Sequence, residues 1–94
     1  MHYVYILKCG DETLYNGETH DLEKRLYEHN KPENVNTYTA KRLPVELLWF
    51  QSFPNKWQAF KVERQLKGWS RKKKLAMIAG KWDLVKILSR GKTS

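Results

Sequence analysis

The opening residues leave this chain little choice about how it begins. Residues 3 to 8 read Tyr-Val-Tyr-Ile-Leu-Lys, β-branched and aromatic side chains that suit a pleated, half-buried surface. Cys9-Gly10-Asp11-Glu12 follows as turn chemistry, and Thr13 to Gly17 supplies a second short run, so a β-hairpin is expected. Loop length then decides where two tyrosines go. Tyr5 and Tyr15 share a sheet face only if the loop holds an odd number of residues. A three-residue loop, Gly10 to Glu12, places Tyr5 opposite Gly17 and Leu7 opposite Tyr15. An even loop sends them to opposite faces.

Beyond the hairpin, Asp21 to Asn30 has helical periodicity through Leu22, Leu26 and His29, with Thr19 or Asp21 able to cap it. Asn30 to Thr39 is polar, carries Pro32, and is expected as a surface loop. Pro44 introduces a third strand over Val45 to Ser52. Pro54-Asn55 starts a helix that runs to Lys67 and stops at Gly68; Ser70 caps another over Arg71 to Ala79, ended by Gly80. A last helix, Trp82 to Leu88, should lead into a fraying polar tail. The order β-β-α-β-α-α-α points to one small α+β domain over residues 1–90 with a mostly antiparallel sheet, and a tail at 91–94.

Size and charge bound the function. Ninety-four residues make one domain without room for a second core. Cys9 is the single cysteine, so no intrachain disulfide can form, which fits a reducing cytoplasm. Apolar runs are too short for a membrane span. Eighteen Lys and Arg against ten Asp and Glu give a net charge of +8, a field that attracts a polyanion. No long basic amphipathic helix with apolar anchors is present, which argues against a membrane surface.

Several polar side chains stand where apolar ones would be cheaper. On the first helix Leu22, Arg25, Leu26 and His29 fall on one face. A guanidinium buried beside leucines needs an anion, either a neighbouring carboxylate or a bound phosphate. His29 can sit at the helix C-terminus as a favoured cation, or exchange protons near neutrality. On the second helix Glu63 lies in the stripe of Ala59, Phe60 and Leu66. It is either one half of a buried ion pair, with Arg25 a candidate partner, or a ligand for a hard divalent cation. Arg71-Lys72-Lys73-Lys74, after Lys67, crowds four cations at a helix start, against the macrodipole; a polyanion would offset their repulsion. Lys41-Arg42 is a weaker basic pair. No metal-type Cys/His cluster, P-loop, dinucleotide fingerprint or serine-nucleophile motif is present.

Taken in order, these segments resemble the GIY-YIG domain, in particular its small stand-alone bacterial members, over nearly the whole chain. Tyr3-Val4-Tyr5 stands for the first motif and Tyr15-Asn16-Gly17 for the second, so the two motif tyrosines fall on Tyr5 and Tyr15. Thr19-His20-Asp21-Leu22-Glu23-Lys24-Arg25 matches the run that ends in the family's catalytic arginine, and His29 matches the His or Tyr four residues on. Tyr38-Thr39 and Pro44 fit the approach to the third strand. Ala59-Phe60-Lys61-Val62-Glu63 carries the metal-binding glutamate, and Lys67-Gly68-Trp69-Ser70-Arg71 resembles the stand-alone group's basic stretch.

The resemblance implies a three-stranded antiparallel sheet flanked by helices and a metal-dependent endonuclease acting on DNA. Glu63 would hold one Mg²⁺ or Mn²⁺ ion, expected only with substrate present. Tyr5, helped by Tyr15 or a bound water, would activate the attacking oxygen. Arg25 would stabilise the developing charge, His29 would move or orient protons, and Gly17 would leave room for close approach. Lys41, Arg42, Lys67, Arg71, Lys72, Lys73 and Lys74 are the candidate nucleic-acid contacts, with DNA favoured over RNA. Three features depart from the family pattern: Asn16 replaces an isoleucine on an expected central strand, Glu18 stands where some members carry lysine, and no asparagine follows Asn55. Two other readings remain open: a non-catalytic nucleic-acid-binding module, and a subunit that takes its specificity from a protein partner.

Overall fold

The computed structural model describes residues 1–31 and 38–93, and residues 32–37 of the expected polar loop lie outside them. The elements are β1 (His2–Lys8), β2 (Leu14–Thr19), α1 (Leu22–Asn30), β3 (Glu46–Phe53), α2 (Lys56–Lys67), α3 (Arg71–Ile78) and α4 (Trp82–Thr93). The three strands form one antiparallel sheet in the order β2-β1-β3. β2 is therefore an edge strand. Asn16 lies on that edge and not on a central strand, because β3 pairs with the far side of β1.

The hairpin closes through the odd loop. Cys9 N–H donates to Thr13 O at 2.8 Å and Glu12 N–H donates to Cys9 O at 2.9 Å. Glu12 takes the left-handed conformation, φ 72°, that a three-residue loop demands at its last position. The register that results pairs Tyr5 with Gly17 and Leu7 with Tyr15. Both tyrosines thus face the same side, and the alternate residues Val4, Ile6, Asn16 and Glu18 face the other.

Each face has its own core. Val4 and Ile6 pack with Ala59 and Leu66 of α2, Ala76 and Met77 of α3, and Val85 of α4. Tyr5, Leu7, Cys9 and Val45 form a second cluster, against which Tyr15, Leu22, Leu26 and Tyr38 pack. So α1 covers one face of the sheet and α2 to α4 the other.

Helix starts follow the sequence. Asp21, Asn55 and Ser70 each cap their helix by accepting from the backbone N–H three residues on, at 3.1, 3.0 and 3.2 Å. Gly80, at φ 74°, follows α3 in the left-handed conformation that ends a helix. Of the boundaries that differ from expectation, two have a local cause. β3 begins at Glu46 because the Val45 backbone is held by a side chain: Val45 N–H donates to Asn30 Oδ1 at 3.0 Å, and Asn30 Nδ2 donates back to Val45 O at 3.3 Å. α4 runs five residues past Leu88, to Thr93, where a tail was expected. Basic residues suit the C-terminal end of a helix, and no proline intervenes. Among the described residues, no helix is long and apolar enough to cross a membrane.

Candidate functional site

On the α1 face, the odd hairpin loop and the helical spacing of Arg25 and His29 bring four of the expected residues together. The Tyr5 hydroxyl and His29 Nε2 lie 3.1 Å apart in a buried hydrogen bond. On the other side of the ring, His29 Nδ1 and Thr39 Oγ1 lie 2.8 Å apart, also buried. The Tyr15 ring stands edge-on to His29 with centroids 5.5 Å apart, and Tyr38 packs against Tyr15 at 5.6 Å. Tyr5 is 1% exposed, and His29 and Thr39 are equally enclosed.

Burial sets the protonation states. It pushes the Tyr5 phenol up to about 12, opposed mainly by Arg25, whose side chain hydrogen-bonds the phenol and whose charge favours the phenolate. Burial also holds His29 below its ordinary value; the Arg25 charge adds to that, and Glu28 acts against it. The resting pair is therefore a neutral phenol against a neutral imidazole. His29 is not the cation that a helix C-terminus alone would favour.

Arg25 is placed differently from the sequence expectation. Its side chain is only half-buried and meets Glu28 at 3.7 Å, so it is the outward-facing member of the group. Gly17 is also reinterpreted. A Cβ there would collide with the Tyr5 ring and hydroxyl, so the space that the missing side chain leaves is filled by Tyr5 and not by a ligand.

Glu63 stands on the opposite face. It is buried on α2 and pairs with Lys67 one turn on, Nζ to Oε1 3.0 Å, and not with Arg25. Its carboxylate borders an open cleft of about 500 Å³ lined also by Glu18, Phe60, Arg64 and Lys67. Glu18 points into this cleft because it alternates with Gly17 on β2, and it also ion-pairs with His2. The Glu18 charge is felt at Tyr5, where it raises the phenol pKa, so β2 is the link between the two faces. Beside Glu18, the Asn16 side chain is 7% exposed, and both its amide atoms lack a hydrogen-bond partner among the described residues.

The expected basic contacts divide. Lys41 and Lys72 are exposed. Lys67 serves Glu63. Arg71 donates to the Glu12 carbonyl of the hairpin loop, and with Lys74, Thr13 and Leu14 it lines a cleft of about 220 Å³. Lys74 is half-buried, and burial lowers its pKa against the pull of Glu63. Lys73 is buried with its ammonium 4.1 Å above the Trp69 ring. Arg42 pairs with Asp11 at 3.0 Å, donates to Tyr38 O at 2.9 Å and lies 4.0 Å over the Tyr38 ring. Arg42 and Lys73 are thus engaged inside the fold.

Sequence reasoning gave no role to Thr39, nor to Phe60 and Arg64 around Glu63. For the latter pair the signal was helical spacing: they lie three residues before and one after the glutamate. For Thr39 the only signal was its place in the approach to β3, because hydrogen-bonding to His29 depends on a non-local contact.

Residues 1–76 match the family model of the GIY-YIG catalytic domain. The chain is 48% identical over 73 residues to a UPF0213 protein of Bacillus pumilus, covering 78% of this chain and 74% of the relative. A UPF0213 protein of Clostridium perfringens is 47% identical over 81 residues, 86% of each chain. In three dimensions the chain is similar to the solution NMR structure of a UPF0213 protein from Bacillus halodurans, with TM-score 0.56 and 38% identity over 85% of this chain and 84% of the other.

Proposed function

Because the chain belongs to the GIY-YIG catalytic domain family, we propose that it is a metal-dependent endonuclease that cleaves DNA phosphodiester bonds, directed by backbone and structure more than by base sequence. The observation that carries this reading is the buried Tyr5–His29 hydrogen bond with the Arg25 cation beside it. A binding surface has no need for a proton donor–acceptor pair shielded from water and set next to a cation.

In this reading Arg25, the exposed member, meets the scissile phosphate and stabilises the charge that grows on it. Tyr5 takes the proton from the attacking water while passing its own to His29 Nε2, so that His29 ends as imidazolium. Tyr15 packs against the imidazole and holds its plane. Glu63, with Glu18 in the same cleft, offers hard oxygen donors of the kind that suit Mg²⁺ or Mn²⁺ retaining most of its waters. Among the described residues, no group of three His, Cys, Asp or Glu side chains could hold a metal ion. When bound, such an ion supplies Lewis-acid neutralisation of phosphate oxygens. Lys67 would release Glu63 and turn to phosphate. β2 is an edge strand, so a sugar–phosphate backbone passing its free side can meet groups from both faces. Lys41, Lys72, Lys74 and Arg71 add backbone contacts. We place this activity in the cytoplasm.

One observation favours a second reading, a non-catalytic nucleic-acid-binding module, with or without a protein partner: Tyr5 is 1% exposed, so its hydroxyl is closed off from a substrate in this structure. A panel of labelled duplex, single-stranded and branched DNA, incubated with Mg²⁺, Mn²⁺ or a chelator, separates the two. The nuclease reading expects metal-dependent products from wild type and none from Glu63→Ala, whose metal-free DNA binding is unchanged or tighter. Binding without cleavage across the panel selects the second reading.

A further inference from the structure

We propose that Thr39 is the positioning residue of the Tyr5–His29 pair: its hydroxyl oxygen accepts from His29 Nδ1–H and fixes the tautomer whose Nε2 lone pair faces the Tyr5 hydroxyl. The catalytic consequence rests on the nuclease reading; the tautomer does not.

A neutral imidazole donates at one nitrogen and accepts at the other. His29 has an oxygen partner at each, Tyr5 at 3.1 Å and Thr39 at 2.8 Å. If Nδ1 carries the proton, Nε2 accepts from the phenol and can take its proton outright. If Nε2 carries it, His29 donates to the Tyr5 oxygen and has no lone pair there with which to receive anything. Either hydroxyl can donate or accept, but the phenol is the stronger acid and so the better donor, which favours Tyr5 donating to Nε2 and leaves Thr39 as the acceptor that Nδ1–H needs. When the phenol proton moves to Nε2, both ring nitrogens carry hydrogen, and the Nδ1–H···Oγ1 bond becomes charge-assisted and stronger. Thr39 then stabilises the product of the transfer more than the resting state.

The segment that carries Thr39 is braced from outside the site. Arg42 N–H donates to Thr39 O at 3.0 Å, and Gly10 N–H donates to Arg42 O at 2.6 Å. The Arg42 guanidinium joins the Tyr38 carbonyl to Asp11 of the hairpin loop. Gly10 has no space for a side chain, because a Cβ would strike the Leu43 carbonyl. Thr39 is thus tied to the same hairpin that presents Tyr5, and Arg42 works as a brace. Among the described residues, the titratable groups that face His29 include Tyr5 from β1, Tyr15 from β2, and Arg25 and Glu28 from its own helix.

The test is ¹⁵N NMR of the histidine side chains as a function of pH, on wild type, Thr39→Val and Thr39→Ser. The expected wild-type result is a pyrrole-type Nδ1 and a pyridine-type Nε2 for His29. The near-isosteric valine should lose that single tautomer and serine should restore it. In cleavage assays valine should lower kcat roughly 10- to 100-fold, the size of effect seen when the outer partner of an oriented histidine is removed, with KM unchanged. A wild-type Nε2–H tautomer, read without any variant, overturns the proposal, as does a valine spectrum identical to wild type. A wild type that cleaves nothing but shows the expected tautomer removes the nuclease reading and leaves the positioning of His29 by Thr39 standing.

Discussion

Gly17→Ala is the smallest change that tests how the site is packed. Gly17 faces Tyr5 across the β1–β2 pair, and the tyrosine ring lies where a side chain at 17 would go. A Cβ built there falls 2.9 Å from Cε2 and nearer still to Cζ and the hydroxyl oxygen, whereas ordinary contact begins at 3.4 Å. The ring must retreat by about 1 Å, toward α1, where it is already enclosed. Overpacking of this kind costs about 1–3 kcal/mol. That is a large share of the roughly 5–14 kcal/mol held by a domain of this length. The melting temperature should drop by roughly 4–8 °C per kcal/mol lost. The Tyr5–His29 hydrogen bond would be pulled out of line, and cleavage should fall by up to roughly 100-fold. A double-mutant cycle supplies the decisive sign. In a Tyr5→Leu background the ring atoms are gone, so Gly17→Ala should become stabilising by about 0.5–1 kcal/mol, the usual gain of alanine over glycine within a strand. Denaturant unfolding of the four proteins measures this. A cost that persists in the leucine background, or no cost in the wild-type background, refutes the steric account.

Asn16→Val should leave stability unchanged or raise it by about 1–3 kcal/mol, since the buried amide lacks partners; loss of stability on chemical denaturation would show that the amide is satisfied in solution. Lys72→Ala should reduce the slope of log affinity for DNA against log salt by about one unit and leave stability alone. Lys73→Ala, which removes a buried side chain packed on Trp69, should lower the melting temperature instead, and equal effects from the two lysines would refute the division. The Tyr5 phenol, raised from 10.0 to about 12 in the fold, favours the folded state below pH 10, and that contribution of about 2–3 kcal/mol is lost as pH rises from 10 to 12. Tyrosinate absorbance during alkaline titration should show one late-titrating phenol that is absent from Tyr5→Phe.

The fold was legible because its determinants are local. Alternating β-branched residues, an odd turn and caps at Asp21, Asn55 and Ser70 specify elements without reference to the rest of the chain. Whether Tyr5 and Tyr15 share a face came down to loop parity, which the sequence left open and the fold settles as odd. Helical spacing likewise placed Arg25 with His29, and Glu63 with Ala59 and Leu66. What could not be read was anything decided by contact between distant segments. The partner of Glu63 turned out to be its own neighbour Lys67, because Arg25 lies across the sheet. Gly17 was legible as an unoccupied volume but not as one filled by Tyr5. Arg42 and Lys73 look like free cations in sequence; only the position of Asp11, Tyr38 and Trp69 shows that they are engaged.

The division of labour across the sheet has an energetic reason. Burial raises the Tyr5 pKa and lowers that of His29, so moving the phenol proton to the imidazole is disfavoured in the resting protein. Charge separation in the enclosed pair is thus strongly disfavoured until something outside it compensates. The group able to do so, Arg25, is half-exposed, where keeping a charge costs little, whereas the Glu63 carboxylate across the sheet is buried and held against Lys67. On the proposed nuclease reading, an enclosed Tyr5–His29 pair beside a half-exposed Arg25 would stay neutral without substrate and leave Arg25 available to a phosphate. Were Tyr5 exposed and the arginine buried, the fold would pay desolvation for a permanent cation and gain no control over when the phenol ionises.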